Sequence, residues 1–309
     1  MLISSRHSFH RILALLLLCM LSLAVTQCKP VGGENYATTC NNLEKPARRL
    51  TYTYTNFLPD ADPYGGRGDF YGKLALDDSK PNLNSDDTWV RGAHKNAGAA
   101  DEYFRKLRLE GYGIWDGCYG ESTQPIMTSV VHQPSFTGWQ GKSYWEVYFM
   151  DEHVTKAPVV HEWTHGLVGR TINLWSEGGQ AGQKYFGQSG ALYEALGDIF
   201  AYLASGIKVK RDDIHYVTSM NDYVIPSLCN DPKQTEANAC KYTNLGIPRQ
   251  AAYRMIDGSP GKAKTERILF HALNPEYIQP QADFRNFALG VEQACLNIAK
   301  SPKLAAGQA

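Results

Sequence analysis

The sequence predicts an α+β fold, β-rich in its first half and mainly helical in its second, an order that fits two lobes with a cleft between them. Three observations predict it. Residues 28–90 are rich in Tyr, Gly, Pro, Asp and Asn and carry short strand-like runs between turns. Residues 126–150 return to strand-like composition after one amphipathic helix. From residue 159 onward most segments have helical apolar spacing. A chain of 309 residues, 43% hydrophobic and 20% charged, can bury a large core as one large domain or two modest ones. The formal net charge is zero and no basic stripe or acidic tail stands out. Nucleic acid and anionic membrane surfaces are therefore not expected as partners.

The elements follow in order. Residues 1–24 read as a signal peptide, residues 25–160 as the β-rich lobe and residues 161–309 as the helical lobe. Arg6, His7, His10 and Arg11 make a basic start, and Ile12 to Val25 is an apolar run short for a membrane span. Ser22 and Ala24 supply small residues for cleavage after Ala24, so the mature chain is expected outside the cell and off the membrane. An uncleaved anchor and a lipid-modified Cys28 are the rival readings, although Gln27 is not the small residue such a site prefers. Six cysteines follow the signal: Cys28, Cys40, Cys118, Cys229, Cys240 and Cys295. An even number in an exported chain suggests disulfides, and six allow fifteen pairings. Short loops favour Cys28–Cys40 and Cys229–Cys240, which leaves Cys118–Cys295. No CxxC pair exists to suggest a cysteine zinc site.

Leu50 to Phe57 and Phe70 to Leu76 are expected strands, with a loop over residues 59–66. Residues 94–110 place Ala97, Ala100, Phe104 and Leu107 at helical spacing and stop at Gly111. Val130, Val131, Trp139, Tyr144, Val147, Tyr148 and Phe149 mark the next strands. A helix is expected over residues 159–169, after Pro158, and a Gly- and Gln-rich loop over residues 175–190. A largely buried helix follows at 190–205, then helices near 247–257, 263–273 and 282–299.

Residues 161–165 read His-Glu-Trp-Thr-His. On a helix, positions i and i+4 share a face, so His161 and His165 can present two imidazoles to one ion. Zn2+ suits neutral imidazole and, in catalytic sites, takes three protein ligands and leaves a position for water. Glu162 stands one step round the helix, where a carboxylate can take a proton from that water. Two histidines can also share a helix without a metal, so a third ligand matters. Glu194 and Asp198 repeat the i, i+4 spacing on the second helix, among Ala191, Leu192, Ala195, Leu196, Ile199 and Phe200. Carboxylates in so apolar a helix need a partner. Glu194 can complete the ligand set, and Asp198 can accept the free ring N–H of a ligating histidine.

The stretch Val159-Val160-His161-Glu162-Trp163-Thr164-His165-Gly166-Leu167, followed by Tyr185-Phe186-Gly187-Gln188-Ser189-Gly190-Ala191-Leu192-Tyr193-Glu194-Ala195-Leu196-Gly197-Asp198-Ile199-Phe200, resembles the thermolysin family of zinc metalloendopeptidases. Looser similarity runs from about residue 93 to 295, through Ala93-His94, Asp116-Gly117, Gly246-Ile247 and Ala251-Ala252-Tyr253. The resemblance implies two lobes with zinc in the cleft between them. It also implies an endopeptidase that hydrolyses peptide bonds through a zinc-activated water, with extended peptides or proteins as substrates. Carried over by motif, His161, His165 and Glu194 are the ligands, Glu162 the general base and Asp198 the partner behind a ligand. Tyr185 matches a tyrosine that supports the oxyanion. The strand near Phe136 to Tyr148, with Trp139-Gln140-Gly141, would pair with the substrate as an edge strand. A monomer is expected.

The sequence departs from that family in four places. The position of an oxyanion histidine holds Tyr242, whose phenol can donate a hydrogen bond but carries no charge. Loss of one such donor typically costs about 10²–10³ in turnover. Pro226 stands near the place of a substrate-binding arginine, for which Arg249 or Arg254 could substitute; His215 is a candidate for the missing histidine. The span from His165 to Glu194 is longer, with extra loop around Trp175 to Lys184. Family calcium ligands are not evident, with Ala157 and Ser205 at matching positions. The chain also has no room for the family's long propeptide and stops before its last helix, so either this branch folds unaided or the sequence is partial. The alternative reading is a zinc-binding relative with little or no catalysis, acting as a binding or structural module.

Overall fold

The computed structural model describes residues 46–54, 73–107, 126–134, 137–140, 146–172, 174, 187–208, 220, 242–279 and 282–301. Among these residues the fold is α+β, with one mixed sheet and a larger helical part. The strands are β1 (Arg48–Thr53), β2 (Leu74–Asp77), β3 (Ile126–Val131), β4 (Gly138–Gln140) and β5 (Glu146–Tyr148), in the order β2-β1-β3-β5-β4. The β1–β3 and β3–β5 pairs are parallel, while β1–β2 and β4–β5 are antiparallel. The helices are α1 (Thr88–Leu107), α2 (Lys156–Thr171), α3 (Gly187–Ser205), α4 (Gly246–Asp257), α5 (Lys262–Ala272) and α6 (Phe284–Lys300). Among the described residues no helix is long and apolar enough to cross a membrane. The signal segment lies outside them, and each expected disulfide includes at least one cysteine that does too.

Side chains explain where elements begin. Strand β1 starts two residues before the apolar run because Arg48 forks onto Asp77 of β2, at 2.9 and 2.6 Å. That pairing holds the Asp77 carboxyl well below the usual carboxylate range. Helix α1 starts at Thr88 rather than His94 because Asp87 caps it, accepting from the amides of Trp89 and Val90 at 2.8 and 3.2 Å. Helix α2 starts at Lys156, ahead of Pro158. Proline is tolerated in the first turn, where its missing N–H has no intrahelical acceptor.

The chain forms two compact units, one joining Ala37–Arg170 to Tyr193–Asp213 and the other Thr171–Leu192 to Ile214–Ala309 and Met1–Tyr36. In the first, β3 is buried on both faces from Met127 to Val131, as a central strand must be. Helix α1 lies on the sheet, where His94 Nδ1 meets Thr51 Oγ1 at 2.9 Å. Its apolar stripe of Ala97, Ala100, Phe104 and Leu107 is buried, and Phe104 meets Phe200 of α3 edge-on with centroids 5.6 Å apart. Asn96 donates to the carbonyl of Val154 at 2.6 Å and so ties α1 to the approach to α2. The second unit packs α4 on α5 and α5 on α6. There Asp283 caps α6, accepting from the amide of Asn286 at 2.7 Å.

Candidate metal centre

Helix α2 is buried along Val159 to Val168, so its two histidines project into protein rather than solvent. The i, i+4 spacing brings their Nε2 atoms to 3.0 Å from each other, with the rings nearly perpendicular at 87°. Glu194 arrives from α3, its Oε2 3.7 Å from His161 Nε2 and 3.9 Å from His165 Nε2. Among the described residues this is the one group of three or more His, Cys, Asp or Glu whose ligand atoms all lie within 4.8 Å of one another.

The arrangement fits a zinc ion on two counts. Tetrahedral zinc with bonds of about 2.0–2.2 Å holds its ligand atoms roughly 3.3–3.6 Å apart, close to the three sides observed. Charge points the same way. Glu162, Glu194 and Asp198 are three buried carboxylates beside two imidazoles, so even with the His161 ring charged they leave excess negative charge that a divalent cation would balance.

Asp198 is wholly buried and faces the other nitrogen of His161, Nδ1 to Oδ1 at 3.0 Å. A proton on Nδ1 faces this carboxylate, which leaves Nε2 for a metal. Burial opposes a charged His161 ring, but hydrogen bonds to Asp198 and Glu194 and the charge of Glu162 outweigh it. Its pKa is pushed up to about 10.

Two further residues of α3 touch the rings and escaped the sequence reading. The Tyr193 ring stacks on His165, with centroids 4.1 Å apart and planes 12° apart, and its hydroxyl donates to the His165 carbonyl at 3.4 Å. At Gly197, an added Cβ would lie 2.6, 2.7 and 3.0 Å from Cε1, Nδ1 and Cγ of His161. Both positions repeat the spacing of Glu194 and Asp198 one residue earlier, which is the only sequence signal they offer.

The structure thus brings together His161, His165, Glu194 and Asp198, with Glu162 buried next to His161 on α2. Tyr242 is half-buried in a helical turn before α4, in the other compact unit. Arg249 is buried on α4 and Arg254 is exposed. Tyr185, His215, Pro226 and the Trp175 to Lys184 loop lie outside the described residues. The remaining described histidines bond elsewhere: His94 to Asp78, His132 to Asp87 and Asp151, His153 to Thr137 and His271 to Tyr277.

No family model matches the chain. An extracellular elastase of Staphylococcus epidermidis is 32% identical over 152 residues, covering 45% of this chain and 28% of that protein. A bacillolysin of Brevibacillus brevis is 27% identical over 233 residues, covering 65% of this chain and 41% of that protein. The chain therefore spans less than half the length of these two curated relatives. Among solved structures, the precursor of protealysin, a metalloproteinase from Serratia proteamaculans, shares the fold with a TM-score of 0.54. It is 19% identical, and the match covers 87% of this chain and 91% of that one.

Proposed function

The chain is a distant relative of the thermolysin-like metalloproteases, and from that premise we propose that it is an exported zinc endopeptidase acting on extended peptides or unfolded proteins. The observation that carries the proposal is the buried His161–His165–Glu194 triangle with Asp198 behind His161. In this reading those three residues hold Zn2+. When bound, zinc supplies Lewis-acid polarisation of a substrate carbonyl and of a water molecule.

The chain's own residues do the rest. Glu162 takes a proton from the attacking water and passes it to the leaving amine. Asp198 keeps the His161 ring in one tautomer and one orientation. Tyr185 and Tyr242 are assigned to the oxyanion, each donating a phenolic hydrogen. Among the described strands β4 borders only β5, which supports its pairing with an extended substrate. Export rests on the signal-like segment 1–24 and on the extracellular elastase among the relatives.

The test is cleavage of an unstructured protein by the parent and by Glu162→Gln, with zinc content measured in both. The parent should cleave in a chelator-sensitive way. Glu162→Gln should keep its zinc and lose about 10²–10⁴-fold in turnover, the range of a general base. Full zinc with no cleavage by the parent would sink the catalytic reading and leave a zinc-binding module.

A further inference from the structure

We propose that Tyr193 and Gly197 are positioning residues that fix the planes of the two histidine rings and thereby set the affinity of the metal centre. The proposal rests on the reading of His161, His165 and Glu194 as metal ligands. Helix α3 carries two i, i+4 pairs side by side. Glu194 and Asp198 meet ring nitrogens, and Tyr193 and Gly197, one residue earlier, meet the flat faces of the same rings.

The lone pair an imidazole offers a metal lies in its ring plane, so rotation of the ring swings the donor off the ion. Both rings must hold their planes at once, and here they stand 87° apart with Nε2 atoms 3.0 Å apart. Asp198 grips only one edge of His161. Rotation about that contact is blocked because the ring lies against the backbone of α3 at Gly197, where even a methyl group would meet three ring atoms within 3.0 Å. His165 is steadied by a parallel aromatic face, and the Tyr193 hydroxyl anchors that face to the turn carrying His165 itself. An aliphatic side chain of similar bulk would fill the space and leave the plane free to turn. Tyr193 is itself buried, so its ring is held in turn.

The experiment uses the full chain stripped of metal. Zn2+ affinity is measured by competition with a chromophoric chelator, and site geometry by the visible absorption bands of the Co2+-loaded protein. Tyr193→Leu and Gly197→Ala should each weaken Zn2+ binding by about 10–100-fold, the range for residues that orient ligands, and should shift the Co2+ bands. Tyr193→Phe keeps the stack and should bind within about threefold of the parent with parental bands. Leu203→Ala, a core truncation further along α3, should lower the metal-free thermal midpoint and leave affinity and bands unchanged. Parental affinity and bands in Tyr193→Leu or in Gly197→Ala overturn the proposal for that residue and leave the metal centre standing. If either metal-free variant lacks folded circular dichroism, its residue is structural and the proposal fails for it. A parent that takes up no Zn2+, or whose uptake His161→Ala does not reduce, overturns the underlying reading instead.

Discussion

Asp198 has no exposed surface, and its Oδ1 stands 3.0 Å from Nδ1 of His161. Replacing it with Ala leaves that ring N–H buried beside nothing that accepts, at a cost of about 1–3 kcal/mol. It also frees the ring to change tautomer. Asp198→Ala is expected to weaken zinc binding by about 10–100-fold, read by chelator competition. Asp198→Asn keeps an acceptor oxygen and should lose less. Glu162→Gln should not weaken zinc at all, which would separate the proposed proton carrier from the proposed holders of the ion. The pair Glu194 and Asp198 was legible in the sequence because carboxylates at helical spacing inside an apolar helix demand partners. Tyr193 and Gly197 were not legible, since a tyrosine and a glycine in a buried helix look like ordinary packing until the neighbouring rings are known.

Strand β5 carries a carboxyl where a strand interior normally carries an apolar side chain. Glu146 is buried, and burial pushes its pKa up to about 7 against the opposing hydrogen bond that the Tyr148 hydroxyl donates at 3.0 Å. The unfolded chain releases this proton near pH 4.5, whereas the folded chain keeps it until about pH 7. Between those values the native state binds the extra proton, so stability falls as pH rises, by roughly 3 kcal/mol over the window. Glu146→Gln has no such proton. Relative to the parent it should gain stability between pH 4.5 and pH 7.5, measured by urea unfolding at several pH values; a constant difference across that range would refute the assignment. At the same scale, α1 shows what periodicity does and does not reveal. Its buried stripe of Ala97, Ala100, Phe104 and Leu107 was legible, but its start was not, because the capping bonds of Asp87 lie ahead of the apolar pattern.

The proposed ligand residues come from two separated stretches of chain, 161–165 and 194–198, that belong to one compact unit. A metal bound there ties those stretches together only in the folded state, so folding and binding are linked. At free zinc one hundred times the dissociation constant the gain is about 2.7 kcal/mol. For a chain of this size that is a rise of roughly 4 °C in the thermal midpoint. Scanning calorimetry with and without a chelator should show the shift in the parent and not in His165→Ala. An equal shift in both would place the stabilising metal elsewhere.

The sequence by itself determined the α+β class, the two helices that carry the cluster and the spacing that puts His161, His165, Glu194 and Asp198 together. Each of those readings depends on spacing within one element, and helix geometry converts spacing into a shared face without reference to the rest of the chain. Only the tertiary structure decided which face of α3 meets α2, that the Nε2 atoms of His161 and His165 stand 3.0 Å apart with Glu194 beside them, and that Tyr193 and Gly197 lie on the rings. These depend on the distance and rotation of two helices about each other. Those are set by packing contacts such as Phe104 on Phe200, between residues far apart in sequence.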